Sequence, residues 1–506
     1  MASPQDVANR IPITVCLMLA TLMNSLDGTI ANVALPHMQG SFSASQDQMT
    51  WVLTSYIVAT AIMTPLTGWL AGRFGAEQVF LVSIAGFTVA SMLCGSATNL
   101  AQIVVYRLLQ GLCGASLMPL SQSVMLDLFP PQQVGQVMAI WGAGALLGPI
   151  FGPLLGGWLT DNFSWRWVFY INLPVGVLAF AGVWLFMSKG GGARGRRLDF
   201  LGYGALVAFV AGLQLVLDRG PTQDWFSSRE VWAEAILAAI GLYLFVMQTL
   251  TARQPFFDRA LLRDRNFLAG NLFGVALSVL LFSTMALQPP LMQGLMGYPV
   301  FAAGMAMMPR GVGSFVSMLA VGRVIGRIDS RVLLGLGLGA SGVALFQMSH
   351  FSLDMTVTPF VVSGIIQGLG MGFMFVPMTV LTFATLGPAL RPEGASAYAL
   401  VRSLGQSVGI SVMEATFTRQ AAVSHADLAA KVQPGNPAFG DFFSRVNPMT
   451  SGGLEGLNVE ITRQSAMVGY IDVFHLMSVV ALAMIPLVLL LRPPKQAREL
   501  AAMPVE

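Results

Sequence analysis

Charge is scarce in this chain. Asp, Glu, Lys and Arg together make up only 10% of its 506 residues, whereas 55% of the residues are hydrophobic. A soluble globular domain carries about a quarter charged residues, so this composition excludes that class and is typical of a polytopic membrane protein. The net charge of +3 adds little information, and we expect no nucleic-acid partner.

Residues that support covalent chemistry or metal binding are also few. The three cysteines lie in apolar runs, which predicts buried thiols and no disulfide framework. The histidines near helix ends show no metal-ligand spacing, and no Walker-type lysine loop is present, so ATP is excluded as an energy source. We expect no cofactor. No His, Ser or Cys constellation converges at membrane depth, which disfavours an intramembrane lipid-modifying enzyme, and we predict that the chain is not an enzyme.

Long apolar runs, in contrast, are abundant. Taken in order they predict fourteen transmembrane helices, each long enough to cross a hydrocarbon core of about 30 Å. An even number of spans puts both termini on one side of the membrane, and the basic residues choose that side. Basic clusters at Lys189–Arg197 and Arg253–Arg265 place both termini in the cytoplasm. The predicted fold class is an all-α polytopic membrane protein.

The chain also repeats itself. RLLQGLCGASLMPL at Arg107–Leu120 is similar to GIIQGLGMGFMFVPM at Gly364–Met378, with Gln110 matching Gln367. Further matches occur at nearly the same offset, which makes chance similarity between Gly-rich apolar segments a poor explanation. Parallel repeats of this kind build many transporters, with the substrate site between the two halves.

The repeat predicts the domain boundaries. Residues 1–190 form a first six-helix bundle, and residues 261–506 form a second one that contains a long external loop at 418–467. The two remaining helices make an insert at 191–260.

The stretch Trp141–Thr160 has no charged residue and carries a glycine at every fourth position. One helix face therefore has no side chains, and a neighbouring helix can approach to backbone distance. Two prolines each remove a helix hydrogen bond, which spanning helices tolerate only where neighbours satisfy the freed carbonyls. We predict a working bend against a partner helix, with a kinked structural helix as the alternative. The residues of this predicted hinge are Gly144, Gly148, Pro149, Gly152, Pro153, Gly156 and Gly157.

An acidic residue at membrane depth costs about 2.5–3.5 kcal/mol on insertion scales, so it indicates a function by default. Counting along the helices puts Asp27 and Arg107 at similar depths, which predicts that they pair. Burial disfavours a charged carboxyl group and a nearby Arg favours it, so a partner that moves would make the carboxyl bind and release a proton. A static structural ion pair is the alternative. Asp472, near the predicted start of the last helix, is either a second proton-coupling residue or an interfacial acid.

Other polar residues at membrane depth are candidates to line a substrate cavity. Arg310 and Arg402 either face the cavity or brace helices through backbone carbonyls, and a positively charged cavity favours weak acids as substrates. The candidate cavity residues are Asn32, Gln110, Arg310, Gln367 and Arg402.

Several motifs together carry a family resemblance. LDGTIANVALP at Leu26–Pro36, RLLQGLCGA at Arg107–Ala115 and GAGALLGPIFGPLLGG at Gly142–Gly157 resemble those of the fourteen-helix drug:proton antiporters of the major facilitator superfamily. The chain is most similar to the EmrB-like multidrug exporters within that EmrB/QacA group. One departure is Gly72, which stands where the family usually has an Asp in the loop after the second helix, so the usual charged latch is in doubt.

The resemblance implies a major facilitator fold in the bacterial inner membrane, surrounded by membrane lipid. It also implies a proton-driven antiporter that exports hydrophobic or amphipathic small molecules by alternating access, which is multidrug efflux and a route to antibiotic resistance. A dedicated exporter of a metabolite, such as a fatty acid or siderophore, is the alternative.

The external segment at 418–467 is the only long one in the predicted topology. EmrB-like exporters work with a periplasmic adaptor protein and an outer-membrane channel, so the resemblance implies that this segment docks such partners. A flexible tether and a lid over the transport path are the alternatives.

Overall fold

The computed structural model describes residues 6, 8–130, 132–188, 197–432 and 451–491. Within these residues the protein is helical almost throughout, and the only β-type contact among them is an isolated bridge between Ile325 and Ile328. The predicted all-α class is therefore confirmed. The basic residues at 189–196, on which the predicted orientation partly depends, lie outside the described residues.

The described residues before the insert form nine helices, which occupy the six spans predicted for the first half. Some spans are broken into two helices, as at residues 64–65, where the axes of the two pieces differ by 55°. The helices are α1 (Arg10–Phe42), α2 (Gln46–Met63), α3 (Leu66–Phe74), α4 (Ala76–Ser96), α5 (Leu100–Gly114), α6 (Leu117–Leu128), α7 (Val134–Asn162), α8 (Trp167–Tyr170) and α9 (Asn172–Phe186).

The second part of the chain continues the pattern. Several of its helices begin at a side chain that caps the first turn; Asp199, Asp264 and Asp329 each accept a backbone N–H in this way. They are α10 (Phe200–Arg219), α11 (Arg229–Thr251), α12 (Arg259–Arg263), α13 (Arg265–Pro290), α14 (Val300–Val324), α15 (Ser330–Met348), α16 (Thr358–Phe383), α17 (Arg391–Lys431) and α18 (Ser451–Ala483).

The number of spanning helices counted by length and composition is smaller than the number of predicted spans. Among the described residues, 11 helices are long and apolar enough to cross a membrane, and the bent α2–α3 pair would make 12. Helices α14 and α17 also lie at predicted spans but fall outside that criterion, since each carries an Arg at membrane depth, Arg310 and Arg402. The fourteen-helix count therefore stays a prediction.

Contacts between helix ends define two sides of the bundle. Asn9, just before α1, donates to the carbonyl of Phe186 at the end of α9 at 3.4 Å. At the opposite end of α1, Trp165 donates to Ser41 at 3.0 Å. We call these the N-terminal side and the far side. An even number of spans in the first half explains why α1 begins where α9 ends.

The insert helices contact both halves. Tyr203 of α10 donates to the carbonyl of Ile62 in α2 at 3.1 Å, and Thr54 of α2 donates to Asp218. On the other side of α10, Ser411 of α17 donates to the carbonyl of Leu217 at 3.2 Å. Helix α10 therefore lies beside the boundary between the halves, a position that the sequence did not predict.

On the N-terminal side the two halves are held together by an ion pair. Arg391, at the start of α17, donates to Asp127 at the end of α6 at 2.6 Å and to the carbonyl of Leu126 at 3.1 Å. Gly68 of α3 lies against the backbone of Glu393. A Cβ atom added to Gly68 would come within 2.7 Å of the Cα of Glu393. Gly72, which replaces the usual family Asp, has no atom within 4 Å of a built Cβ. In this structure the charged contact between the halves is formed by Asp127 and Arg391, and no such contact is recorded at position 72 among the described residues.

The long external segment is helical at both of its ends, of which the sequence predicts the first, at Arg419–Val432, but not the second. Helix α17 has 41 residues and continues to Lys431, and α18 begins at Ser451. At 1.5 Å per residue α17 is about 60 Å long, roughly twice the thickness of a hydrocarbon core. The two helices stay paired through the rings of Phe417 and Tyr470, 4.4 Å apart, and through His425 and Asn458 at 3.2 Å. Much of 418–467 is therefore a helical hairpin on the far side.

Replacing Asp127 with Asn should open the N-terminal side more often. The ion pair with Arg391 is partly exposed, so its loss is expected to cost about 1 kcal/mol and shift the population by roughly fivefold. Electron–electron resonance distances between spin labels at exposed Phe74 and Ile328 would measure this shift. Glu230→Gln, which breaks an exposed ion pair inside the insert, is the control. Identical distance distributions in the two variants would show that the Asp127 pair is not a latch.

Candidate functional site

Asp27 and Arg107 form an ion pair inside the first half. Helix α1 carries the carboxylate and α5 carries the guanidinium, and Arg107 Nη1 lies 2.6 Å from Asp27 Oδ2. The two side chains are 1% and 0% exposed. A charged pair this deeply buried is stable only if its remaining hydrogen-bonding groups are satisfied as well. The predicted pairing of these two residues is present in the structure.

Two amides satisfy the other oxygen of the carboxylate. Gln110 Nε2 donates to Asp27 Oδ1 at 2.7 Å, and Asn172 Nδ2 donates to the same oxygen at 3.3 Å. Gln110 lies one helical turn from Arg107 and accepts from its Nη1 at 2.9 Å. Asn172, at the start of α9, also donates to Ser91 at 2.9 Å. Both carboxylate oxygens therefore have donors from the protein.

Arg107 has partners that do not depend on the charge of Asp27. Its Nε donates to the carbonyl of Val52 at 3.2 Å. Its guanidinium carbon lies 4.1 Å from the centre of the Tyr56 ring and 5.8 Å from that of Phe169, distances at which a cation is attracted to an aromatic face. These contacts come from α2 and α8, so Arg107 stays anchored when Asp27 is neutral.

The glycine face of α7 packs against α1, the helix that carries Asp27. A Cβ built on Gly148 would overlap Ser25, and one built on Gly152 would overlap Thr29. At Gly156 a Cβ would lie 3.0 Å from the carbonyl oxygen of Ile30. Gly144 meets only the end of the Met18 side chain. The partner helix that the glycine spacing required is therefore α1.

Hydroxyl groups of α1 donate to carbonyls in the Gly/Pro segment of α7. Pro149 has no N–H, so the carbonyl of Ala145, four residues earlier, loses its helix hydrogen bond. Ser25 Oγ donates to that carbonyl at 2.5 Å, and Thr29 Oγ1 donates to the carbonyl of Gly148 at 3.1 Å. The side chain of Pro153 lies outside the described residues.

The opposite face of α7 contacts the second half. The Trp141 ring stacks on Phe375 of α16 with centres 6.1 Å apart. A Cβ on Gly311 of α14 would meet Ile150 at 2.5 Å, and one on Gly322 would meet Ala139 at 2.7 Å. Helix α7 thus lies between the second half and the helix that carries Asp27.

The second half contains an altered copy of the ion-pair cluster. The offset that matches Gln110 with Gln367 also matches Asp27 with Thr284. Gln367 Nε2 donates to Thr284 Oγ1 at 3.1 Å, as Gln110 donates to Asp27. Arg310 of α14 packs beside Gly364, which is the position equivalent to Arg107. A Cβ atom added to Gly364 would lie 3.5 Å from the Cβ of Arg310. The cation is therefore supplied by a different helix, and the carboxylate is missing.

The remaining predicted site residues are scattered. Asn32 is exposed on α1, five residues after Asp27 and outside the buried face that carries Asp27. Arg402 lies over the Phe375 ring at 5.4 Å, beside Trp141. Asp472 is half-buried well inside α18, which begins earlier than predicted, and no contact to the Asp27 cluster is recorded among the described residues. Gln110 and Gln367, predicted to line the cavity, are fully buried in the two clusters.

A family model of the Major Facilitator Superfamily matches residues 17–410. The chain belongs to the major facilitator superfamily. The predicted family is thereby confirmed, and the protein is a multi-pass protein of the inner membrane.

Individual relatives cover almost the whole transporter. The multidrug export protein EmrB of Escherichia coli strain K12 is 34% identical over 497 residues, 97% of this chain and 97% of that protein. The fatty acid resistance protein FarB of Neisseria gonorrhoeae is 33% identical over 486 residues, 95% of this chain and 96% of that protein. The crystal structure of the human organic anion transporter MFSD10 (TETRAN) shares the fold, with a TM-score of 0.60 and 14% identity over 95% of this chain and 100% of that one.

Sequence reasoning missed several residues of this transporter site. Asn172 is a polar residue in a long apolar run, a signal of the same kind as Asp27. Ser25 and Thr29 are four residues apart, which is the spacing of the glycines that they contact. Tyr56 and Thr284 gave no comparable signal, because their roles depend on which helices become neighbours.

Replacing Gly148 with Ala should destabilise the protein, although Ala is favoured over Gly in a helix by about 1 kcal/mol. The new Cβ would overlap Ser25, and overpacking costs about 1–3 kcal/mol. Gly157→Ala is the matched control, since its Cβ would meet Val33 at an ordinary 3.9 Å. Thermal unfolding of the purified variants should give a lower Tm for Gly148→Ala alone. Equal Tm values would mean that α7 does not pack on α1 at this point.

Proposed function

We propose that this protein is a proton-driven antiporter that exports hydrophobic and amphipathic small molecules by alternating access. The observation that carries the proposal is the buried Asp27–Arg107 ion pair, which lies on the helix against which the Gly/Pro bend of α7 packs. The multidrug relatives named EmrB support the same function over nearly the full length of the chain.

Asp27 is the group that carries the proton in this proposal. When Arg107 and the amide N–H groups of Gln110 and Asn172 donate hydrogen bonds to the carboxylate, its charged form is favoured. When α1 moves relative to α5, the carboxylate loses the guanidinium and binds a proton instead. Arg107 keeps its contacts with Val52 and Tyr56 during this step, so the guanidinium is not left without partners.

Helix α7 transmits the change between substrate and proton. It contacts the second half through Trp141 and contacts α1 through Gly148 and Gly152. The hydroxyls of Ser25 and Thr29, which bond to α7, flank Asp27 in sequence. A shift of α7 that accompanies substrate binding therefore moves the segment of α1 that carries the carboxylate.

Both termini face the cytoplasm in this proposal, and the energy source is the proton gradient, with no bound cofactor. The Asp127–Arg391 latch then lies on the cytoplasmic side, which supports a state closed to the cytoplasm. A static role for the ion pair and an enzymatic role in the membrane are the competing interpretations.

A second candidate function is the export of a dedicated amphipathic acid. It is supported by the cations Arg310 and Arg402 in the second half, and by the relative named as a fatty acid resistance protein. In both versions the substrates are small amphipathic molecules that enter from the cytoplasm or the membrane lipid.

The far-side hairpin of α17 and α18 is the proposed docking surface for a periplasmic adaptor protein that connects to an outer-membrane channel. Its paired helices extend well beyond a hydrocarbon core and are large enough to offer an interface of roughly 800 Å² per partner. Phe439, Phe442 and Phe443, which lie outside the described residues, add aromatic side chains of the kind enriched at interface centres.

Asp27→Asn should abolish export driven by a pH gradient in proteoliposomes while the protein stays folded. Asn has nearly the size of Asp but cannot exchange a proton, and Arg107 retains its other contacts. Elution as a single species in size-exclusion chromatography checks folding, and Asp161→Asn, at an exposed acid, is the matched control. Full gradient-driven efflux by the Asp27 variant would refute the proton-site assignment.

Shortening the hairpin should separate partner docking from transport. Joining His425 to Asn458 through a linker of about four residues removes the tip but keeps the helices in register. We expect unchanged proteoliposome transport and a loss of resistance in intact cells, because only cells contain the partner. If transport in proteoliposomes also changes, the hairpin is a lid and not a docking surface.

A further inference from the structure

Arg310 is a buried cation without an acidic partner. It is 6% exposed and comes from the middle of α14. Its Nη2 donates to the carbonyl of Leu281 at 3.2 Å, and its Nη1 lies 3.4 Å from Oε1 of Gln288. Within the described part of the chain, no carboxylate lies within salt-bridge distance of it. Its full charge is therefore balanced only by neutral dipoles.

The comparison with the first half shows what is missing. Leu281, Thr284 and Gln288 lie on one face of α13, so the two contacts of Arg310 are on either side of Thr284 along the helix. Thr284 occupies the place that Asp27 has in the first half. The second cluster thus keeps a guanidinium and an amide but lacks a carboxylate.

A second observation indicates that the cluster is incomplete. Gln367 is 2% exposed, and its Oε1 has no hydrogen-bond partner among the described residues. Rotation of the amide would exchange its oxygen and nitrogen and present two N–H donors instead. An anion beside Arg310 would make that rotation favourable, since the anion accepts from the amide N–H groups. The Thr284 hydroxyl, which now donates to the carbonyl of Leu280 at 2.6 Å, would turn to donate to the amide oxygen.

The surroundings define the rest of the ligand. Gln288 contacts the sulfur of Met348 at 3.7 Å. A flexible methionine fits apolar groups of varied shape. An inorganic anion would leave this side chain unused, whereas a carboxylate on an apolar body would contact both Arg310 and Met348.

We propose that Arg310, with Gln367 and Thr284, binds the carboxylate of amphipathic weak acids. The substrate then provides the carboxylate that the second cluster lacks. This inference rests on the proposed export function and names one substrate class of the same transporter. The substrate carboxylate takes the position relative to Arg310 that Asp27 takes relative to Arg107. Neutral and cationic substrates would bind without this contact.

The test measures binding of radiolabelled decanoate and of decanol, its uncharged analogue, to the full chain in lipid nanodiscs without a pH gradient. The wild type should prefer decanoate after subtraction of protein-free nanodiscs. Arg310→Gln should weaken decanoate binding by roughly 10- to 100-fold, the range for one lost charged hydrogen bond, and leave decanol binding unchanged. Arg323→Gln, at an exposed Arg of the same helix, is the matched control.

A second variant keeps the test decisive if Arg310→Gln does not fold. Thr284→Asp supplies a carboxylate from the protein, which would pair with Arg310 and exclude decanoate. Thr284→Asn controls for size, and decanoate should bind to the Asp variant at least about tenfold more weakly than to the Asn variant. Equal binding to these two variants, or no preference for decanoate in the wild type, would overturn the proposal.

The outcome can be separated from that of the export function. If decanoate binding does not depend on Arg310 while gradient-driven export of a cationic dye requires Asp27, only the carboxylate site is wrong. If decanoate binding depends on Arg310 but no compound is exported in response to a gradient, the site stands and the antiport mechanism fails.

Discussion

The structure depends on holding one carboxylate and one guanidinium together away from water. An isolated charge at this depth costs several kcal/mol, and removing one member of a buried pair typically costs about 3–5 kcal/mol. The pair is kept by helices α1 and α5, and its remaining hydrogen bonds come from Gln110, Asn172 and Val52. Four separate helices therefore have to keep their relative positions for this hydrogen-bond network to stay intact.

The Gly/Pro helix α7 connects the helix that carries Asp27 to the second half of the protein. Its small residues allow α7 to touch the backbone of α1. Ser25 replaces the hydrogen bond that Pro149 removes, and Thr29 donates to the neighbouring carbonyl of Gly148. In the proposed mechanism these hydroxyls exchange partners, so that the helix changes its angle without exposing carbonyls to hydrocarbon. The other face of α7 packs on the second half, so movement between the halves reaches Asp27 through a single helix.

The two halves have equivalent polar clusters, but only the cluster of the first half contains a carboxylate. Gln110 and Gln367 have equivalent contacts, yet the second cluster has Thr284 instead of a carboxylate and takes its cation from α14. The first half contains a buried acid paired with an arginine, and the second half contains a cation that no acidic residue among the described ones neutralises. In the proposed function this asymmetry assigns the proton to the first half and the substrate to the second.

Much of this architecture could be predicted from the sequence, for physical reasons. Apolar runs fix the helices, the glycine period requires a close partner, and a lone Asp at membrane depth requires a cation, so Asp27, Arg107 and α7 were predicted. Their neighbours were not, because Tyr56, Asn172 and Thr284 act through helix packing that a single sequence does not encode locally. The sequence also predicts a helix at Arg419–Val432, which the structure confirms. That this helix continues the preceding span without a break, and that the last helix begins at Ser451, could not be predicted, because polar residues in these stretches break the apolar pattern although they are compatible with a helix in water.

In the proposed mechanism Asp27 exchanges its proton in response to substrate. This exchange can be measured as proton release from purified, detergent-solubilised protein when an exported compound is added in weakly buffered solution. We expect about one proton released per bound substrate in the wild type, from one coupled carboxylate, and none in Asp27→Asn despite retained binding. Equal proton release from both proteins would show that Asp27 is not the proton carrier.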